Sequence, residues 1–284
     1  MTKALNYLEQ NLLNEIDVEQ AGREANCSPF HFMRMFEVIT GVSPAEYVRR
    51  RRLSLAALEL ISGTERVIDV ALKYGFDSPD SFARSFKREF DCLPSGARVP
   101  GAKLHTFPPL SFSIALKGDK AMEYRIEKSK AYELTGLSLR ANSQDGSNFK
   151  DVPAFWEAVM KDGRCAALYK KAAGSTLGVC GVCHSFDMRS GTFTYTIAIE
   201  RPKDRTGLPE GCEDIVVPAS TWAKFTSRGP LRPNFQDTIK RIYSEWFPAS
   251  GREHAGTAEL EFYPDLPDTG AADYWCEYWA PLKD

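Results

Sequence analysis

The sequence has no long hydrophobic run, few histidines and no excess of charge of either sign. No apolar stretch reaches the roughly 18 residues of a membrane-spanning helix, which argues against that class of protein. The first residues lack an apolar secretory segment, so we expect the protein in the cytoplasm and without a membrane partner. The 7 cysteines are scattered and odd in number, which argues against a disulfide framework.

Motifs that hold metals or cofactors are scarce. Cys180, Cys183 and His184 match the C-x-x-C-H pattern of haem attachment, but that chemistry belongs to exported proteins. Zinc needs a second pair of ligands, and the other cysteines are isolated. A redox pair of Cys180 and Cys183 stays open, although side chains three apart in a strand point to opposite faces. We therefore expect no metal, no cofactor and no catalytic residue.

The formal net charge of -2 gives no overall attraction to a polyanion, but the charge is unevenly distributed. Residues 25–52 carry 5 basic and 2 acidic side chains, and residues 78–103 carry 5 and 3. The stretches before each of them are acidic. A local positive face is enough to bind phosphates, so these two segments are candidates for a nucleic-acid interface.

Composition divides the chain into two parts. All 5 tryptophans lie in the second half, whereas the helical periodicity lies in the first. A single core rarely exceeds about 250 residues, and turn formers between Ser95 and Pro109 should end the helical part. We predict a multidomain protein: an all-α domain over 1–105, a linker over 106–120 and an α+β domain over 121–284.

The helical domain contains an internal repeat of 50 residues. Residues 28–36 align with residues 78–86, with Ser-Pro, two phenylalanines and an arginine at matching positions. Ser-Pro opens a capped helix, and phenylalanines four apart share one buried face. Arg34 and Arg84 then face away from the core. One copy could be an ordinary helical hairpin with a solvated arginine, but two copies favour DNA-reading helix-turn-helix units over about 10–40 and 60–95.

The second copy, from Ile68 through Phe90, resembles the signature of the AraC/XylS family of bacterial transcription regulators. The resemblance covers about residues 1–100. It implies two recognition helices that enter successive major-groove segments of double-stranded DNA, binding as a monomer and contact with RNA polymerase. By position it also implies these base-facing or phosphate-facing side chains: Phe30, Met33, Arg34, Asp80, Ser81, Arg84 and Lys87. Related activators carry glutamine where this chain has Met33, so a different operator or a weaker direct readout of bases is expected.

A run of four arginines, Arg49 to Arg52, is a further candidate for DNA contact. Four consecutive helical residues sweep about 300°, so they cannot all face one surface. We expect one or two, assigned to Arg49 and Arg51, to contact the DNA backbone. The others should pair with acidic neighbours or stay solvated.

The second half reads as two copies of a strand, helix, strand, strand unit, which predicts a pseudo-symmetric domain with a groove between its halves. In its last strand, alternation places Trp275, Glu277 and Trp279 on one face. A carboxylate between two indoles is costly to desolvate unless a cation compensates it. A cationic ligand, a neighbouring lysine or arginine, or partial exposure to solvent could each compensate it, and the pattern does not decide between them.

Segments around Trp246, Glu261 and the closing strand resemble the GyrI-like effector-binding domains. With the amino-terminal resemblance, this points to the Rob-type branch of the AraC/XylS family. It implies a hydrophobic or cationic small-molecule ligand, with Glu277 in the pocket beside Trp275 and Trp279. The aromatic wall candidates are Trp156, Tyr195, Trp222 and Tyr243.

The leading hypothesis is a transcription regulator, an activator, that a small-molecule ligand controls; it is not an enzyme. Two alternatives stay open. The carboxyl-terminal domain could hydrolyse reactive small molecules with Glu277 as base or proton shuttle, or it could be a sequestering domain that holds no metabolite.

Overall fold

The computed structural model describes residues 1–99, 102, 104–112, 122–142, 147–187, 190–265 and 268–284. The chain divides into two compact units. The first comprises Met1–Phe32 with Pro44–Leu116, and the second comprises Met33–Ser43 with Lys117–Asp284. The second unit therefore contains a short segment from the amino-terminal part of the sequence. Among the described residues, no helix has both the length and the apolarity needed to cross a membrane.

The helices of the amino-terminal part are α1 (Thr2–Gln10), α2 (Val18–Glu24), α3 (Pro29–Thr40), α4 (Pro44–Ser62), α5 (Val67–Lys73) and α6 (Pro79–Phe90), followed by a 3-10 turn (Pro94–Arg98). The predicted Ser-Pro cap of α6 is present. The Ser78 hydroxyl accepts a hydrogen bond from the Ser81 backbone N–H at 3.1 Å, and at the start of α2 the Asp17 carboxylate accepts one from the Gln20 N–H at 3.1 Å. These caps satisfy N–H groups that would otherwise be unpaired at the first turn of each helix.

The second helix-turn-helix unit is built on a phenylalanine core. Phe82 and Phe86 are fully buried, with ring centroids 5.5 Å apart, and Phe76 packs on Phe82 at 5.1 Å. The turn between α5 and α6 contains Gly75 at φ +76°, a conformation that favours glycine. The spacing of the phenylalanines thus correctly predicts the buried face of α6.

Part of the predicted linker packs against α4. The Phe107 backbone N–H donates to the Ser54 hydroxyl at 2.8 Å, and its ring lies 5.9 Å from that of Tyr47. Phe107, at the start of the predicted linker over 106–120, is thus anchored to α4, and the predicted domain boundaries stay a prediction. The rest of that prediction includes residues 113–120, which lie outside the described residues.

The second unit contains an antiparallel sheet of eight strands with helices. Its elements are β1 (Tyr124–Ser129), β2 (Tyr132–Asn142), α7 (Asn148–Lys161), α8 (Arg164–Ala172), β3 (Cys180–Asp187), β4 (Thr192–Glu200), β5 (Glu213–Val217), β6 (Ser220–Arg228), α9 (Leu231–Arg241), a π-helical turn (Ile242–Trp246), α10 (Phe247–Ser250), β7 (Glu259–Phe262) and β8 (Trp275–Leu282). The strand order is β1-β6-β8-β7-β3-β4-β2-β5.

This order has an internal two-fold pattern. Each half contributes two strands, a helical segment and two more strands, one strand more before the helix than the sequence pattern predicted. The first strand of each half pairs with the other half, β1 with β6 and β5 with β2. The halves meet where β7 pairs with β3. The predicted pseudo-symmetric α+β architecture is confirmed.

The two faces of the sheet pack against different groups of residues. One face packs against α7 and α8 through a cluster that includes Val159, Leu168 and Ile197, and against α9 through Phe235. The other face carries a separate apolar cluster that includes Trp222 and Trp279. The first is called the helix-covered face below.

A candidate ligand site and a candidate nucleic-acid interface

The outer face of α6 presents the side chains predicted to read DNA. Asp80, Arg84 and Lys87 are exposed. Ser81 is half-buried, and its hydroxyl donates to the Ser78 carbonyl at 2.9 Å. The polar face of this second recognition helix is therefore available to a duplex, except that the Ser81 hydroxyl already has a partner.

All four arginines of the run in α4 hold contacts within the chain. Arg49 binds Glu46 at 2.5 Å, Arg50 binds Glu89 at 2.8 Å, and Arg52 donates to the carbonyls of Leu12 and Asn14.

Arg51 is buried. Its guanidinium donates to both carboxylate oxygens of Glu9, at 2.8 and 3.0 Å, and to the Phe107 carbonyl. The structure contradicts a phosphate contact by Arg51, because its guanidinium is enclosed and already satisfied. A DNA contact by Arg49 stays a prediction.

Arg34 differs sharply from Arg84, its repeat equivalent. Its guanidinium lies in the second unit and forms a two-point ion pair with Glu259: Nε to Oε1 is 3.0 Å and Nη2 to Oε2 is 2.8 Å. It also lies 5.7 Å from the ring centre of Tyr243 and 3.9 Å from Glu37. The Arg34 side chain is 16% exposed and that of Glu259 is 0% exposed. Of the other residues predicted in α3, Phe30 and Met33 are half-buried.

Two carboxylates stand side by side on β7. Alternation in the strand places Glu259 and Glu261 on the helix-covered face, while Leu260 joins the cluster on the opposite face. Aromatic side chains from both halves of the unit surround them. We call this group the acid–aromatic site: Glu259, Glu261, Trp156, Tyr195, Tyr243, Tyr263 and Tyr278.

Tyrosine hydroxyls orient the two carboxylates. Tyr243 donates to Glu259 Oε1 at 3.0 Å, and its oxygen lies 3.1 Å from that of Tyr278. Tyr195 and Tyr263 both donate to Glu261 Oε2. The network fixes Glu261 through one oxygen, since the hydrogen bonds found for it among the described residues all go to Oε2.

The far end of the network is a tryptophan on α7. The Trp156 indole N–H donates to the Tyr195 hydroxyl at 2.8 Å, and its ring lies 5.6 Å from that of Tyr263. Gly181 on β3 lies directly beneath the contact between Tyr195 and Glu261. A methyl group at this position would overlap both the Tyr195 hydroxyl and Glu261 Oε2, so the meeting of those two atoms requires glycine.

The surroundings shift the pKa values of the two carboxyls in opposite directions. Burial alone would raise the pKa of Glu259, but the Arg34 charge and a hydrogen bond from His254 overcome it and lower that pKa. Burial raises the pKa of Glu261, because the hydrogen bonds from Tyr195 and Tyr263 compensate it only in part. Glu259 is thus a permanent anion with a partner, and Glu261 is a carboxyl whose charge is poorly compensated.

The seven predicted ligand residues fall on two faces of the sheet. Trp156, Tyr195 and Tyr243 lie in the acid–aromatic site. The other four, Trp222, Trp275, Glu277 and Trp279, lie on the opposite face by strand register and ring contacts. The sequence prediction of one pocket lined by all seven is wrong, because it combined residues from both faces.

Glu277 is compensated from within the chain. The Arg125 guanidinium on β1 donates to both carboxylate oxygens of Glu277, at 2.6 and 3.1 Å. The Trp279 indole N–H also donates to this carboxylate, at 2.7 Å. The Trp279 ring carries the Lys224 ammonium 3.7 Å from its centre. Of the alternatives that the sequence left open for Glu277, the structure shows a neighbouring arginine.

Sequence reasoning missed Glu259, Glu261, Tyr263 and Tyr278. The signal was present, since Glu259 and Glu261 alternate with Leu260 and Phe262, the pattern that drew attention to Glu277. The motif Cys180 to His184 contributes Gly181 instead of a metal site. Its two cysteines lie on opposite faces, as predicted, and burial raises the pKa of Cys180 to about 12.

Comparison with protein families identifies both parts of the chain. Residues 22–99 match a family described as a helix-turn-helix domain. Residues 125–282 match one described as an integron-associated effector binding protein. The second match covers more than half of the chain.

Several curated relatives are transcription regulators. The transcriptional regulator Rob of Salmonella typhimurium is 36% identical over 287 residues, covering 98% of this chain and 96% of Rob. The activator AarP of Providencia stuartii is 39% identical over 99 residues, 35% of this chain and 73% of AarP. Other relatives match a smaller share of this chain than Rob does, and in one of them the aligned part is 41% of the relative's length.

Among solved structures, SAV2435 bound to tetraphenylphosphonium is similar to 57% of this chain, with a TM-score of 0.50 and 21% identity over 94% of that protein. This likeness confirms the fold of the second unit. The full-length match to Rob and the two family matches together assign the whole sequence. The chain belongs to the AraC-type helix-turn-helix family of DNA-binding transcription regulators, with a GyrI-like effector-binding domain at its carboxyl end.

Proposed function

We propose that this regulator is controlled by a hydrophobic organic cation that binds at the acid–aromatic site. The observation that carries the proposal is the pair Glu259 and Glu261, two carboxylates on one strand face within a cluster of tyrosines and a tryptophan. The proposal replaces Glu277 by Glu261 as the principal anionic contact.

Charge favours a cation as the ligand. Glu261 has no cationic side chain bonded to it among the described residues, and burial raises its pKa. A cation beside it would stabilise the ionised form, so ligand binding and deprotonation of Glu261 would support each other. A carboxylate repels an anion and gives no electrostatic attraction to a purely apolar molecule, so neither is favoured as the ligand.

The aromatic side chains select for flat or bulky apolar groups around that charge. Trp156 and Tyr263 stack edge to face, and Phe235 lies 5.8 Å from Tyr263. Aromatic faces attract cations and bury apolar area at the same time. The preferred ligand therefore combines a positive charge with aromatic or aliphatic bulk.

Tetraphenylphosphonium is a suitable probe, because it is a hydrophobic cation whose charge does not titrate. We expect it to quench the tryptophan fluorescence of the full chain saturably, through Trp156. Glu261→Gln should weaken binding at least tenfold, whereas Glu133→Gln, at an exposed carboxylate on β2, should not change it. Triphenylphosphine oxide, uncharged and of similar shape, should bind much more weakly. Equal binding of the two compounds, or no saturable binding, would refute the proposal.

The proposed output is activation of transcription. Two recognition helices in one chain can contact two major-groove segments about 34 Å apart, so we expect one monomer per site and contact with RNA polymerase at the promoter. Transcription in vitro with purified polymerase tests this: the ligand should raise transcript yield from a template carrying the selected operator. A fall in yield would identify a repressor instead.

An enzymatic role of the second unit now has a different candidate base. Glu277 is held by Arg125, whereas Glu261 has a raised pKa and neighbouring tyrosine hydroxyls, a combination suited to general base catalysis. Incubating the full chain with reactive esters tests it. Turnover that Glu261→Gln abolishes would establish a hydrolase, and reversible binding without product would exclude it for those substrates.

A further inference from the structure

The first recognition helix supplies its own cation to the acid–aromatic site. Helix α3 continues from Met33 as part of the second unit, and Arg34 is the cation that its second turn presents there. We propose that Arg34 is an internal ligand of this site, and that an effector carrying an amidinium or guanidinium group takes its place on Glu259. This inference rests on the proposed function of the same site.

The geometry makes the two occupants mutually exclusive. Both oxygens of Glu259 are used by the fork of Arg34, and Oε1 also accepts the Tyr243 hydroxyl. The guanidinium also lies 5.7 Å from the centre of the Tyr243 ring, and His254 Nε2 lies 3.3 Å from Glu259 Oε1. A cation that forms the same two hydrogen bonds to Glu259 must therefore take the position that Arg34 now holds.

The carboxylate needs a replacement when Arg34 leaves. Glu259 is fully buried, and an ionised carboxylate without a partner is strongly unfavourable in such surroundings. A planar cation with two parallel N–H donors reproduces the bonds that Arg34 makes. A phosphonium donates no hydrogen bond, so it can use Glu261 and the aromatic rings but cannot replace Arg34 on Glu259.

The repeat gives this contact a consequence for DNA. Arg34 and Arg84 occupy equivalent positions of the two recognition helices, yet Arg84 is exposed whereas Arg34 is enclosed. An arginine paired with Glu259 cannot also contact a base or a phosphate. An amidinium ligand that displaces Arg34 from Glu259 therefore makes Arg34 available to contact DNA.

The experiment measures affinities of two cations for the full chain by tryptophan fluorescence. 4-Phenylbenzamidinium has two parallel N–H donors on a planar cation, and tetraphenylphosphonium has no N–H donor. Arg34→Ala should increase the affinity for 4-phenylbenzamidinium at least tenfold. It should change the affinity for tetraphenylphosphonium less than threefold. Arg66→Ala, which removes an exposed arginine paired with Asp69, should leave both affinities unchanged.

Arg34→Lys provides a second variant that keeps the charge. A lysine binds Glu259 through a single point, so the amidinium should bind it with an affinity between those of the wild type and Arg34→Ala. Equal amidinium affinity in all three proteins would overturn the internal-ligand proposal while leaving the effector site intact. Failure of both cations to bind any of the proteins would overturn the proposed function as well.

Discussion

Arg34 and Glu259 are 225 positions apart in the sequence, yet they form a two-point ion pair with N–O distances of 3.0 and 2.8 Å. One comes from the first recognition helix and the other from the strand at the centre of the effector-binding domain. A side chain predicted to contact DNA therefore pairs with a buried carboxylate of the candidate ligand site. This ion pair is the basis of the proposed coupling between ligand binding and DNA binding.

The position of the ligand site can be tested with two glutamates on opposite faces of the sheet. Glu261→Gln should weaken tetraphenylphosphonium at least tenfold, because it removes the carboxylate that lacks a cationic partner. Glu277→Gln should change the affinity less than threefold, since Arg125 already holds that side chain. Isothermal titration of both variants measures this, and the reverse ranking would restore Glu277 as the ligand contact.

Sequence-specific DNA binding should depend on Arg84. The side chain is exposed on the outer face of α6, so Arg84→Ala should cost about 1–3 kcal/mol of specific binding without unfolding the domain. Arg66→Ala removes an arginine that pairs with Asp69 on the surface and should change DNA affinity little. Mobility shifts on a duplex chosen by binding-site selection give the affinities. Equal operator affinity of wild type and Arg84→Ala would show that α6 does not read bases.

Ligand affinity should fall on acidification because of Glu261. Burial raises the pKa of this carboxyl above its ordinary value, so it takes up a proton at a higher pH than an ordinary glutamate does. Glu259, whose pKa is lowered, keeps its charge through the same range. Affinity for a cation should then decrease by up to about tenfold per pH unit below the pKa of Glu261. Tetraphenylphosphonium titrations from about pH 7.5 to 5 check this; the profile of Glu261→Gln should be flat.

Gly181→Ala tests how the site is built. The added methyl group would overlap the Tyr195 hydroxyl and Glu261 Oε2, both at the ends of side chains. The strand can therefore keep its pairing while the hydrogen bond between those side chains is displaced. We expect the variant to fold and to lose at least tenfold in ligand affinity. Gly96→Ala, whose added carbon meets its nearest neighbour at 3.7 Å, is the matched control; undiminished ligand affinity of Gly181→Ala would contradict the geometry.

The helix-turn-helix architecture was predictable because its determinants are local. Ser78 with Pro79 begins α6, and Phe82 and Phe86 mark the buried face by their spacing alone. The same rule places Arg34 on the polar face of α3. It cannot name the partner of that arginine, because Glu259 reaches it only through the tertiary fold.

The ligand site was predictable only in part, because β8 has aromatic residues on both faces. Trp279 faces one way and Tyr278 the other, so alternation alone did not indicate which face bears the site. On β7, alternation puts Glu259 and Glu261 on one face but does not show which residues of the other strands share that face. Strand order resolves it, since β7 and β3 meet at the centre and bring Glu261 to Tyr195 over Gly181.

Under the proposal, Arg34 pairs with either Glu259 or DNA but not with both, and one measurement on the unmodified protein tests this. The affinity for 4-phenylbenzamidinium is determined by fluorescence with and without saturating operator duplex. Because coupling between two ligands is reciprocal, DNA that draws Arg34 away should tighten the amidinium at least fivefold, a coupling of about 1 kcal/mol. An affinity that stays the same or weakens when the operator is bound would show that DNA does not draw Arg34 away from Glu259.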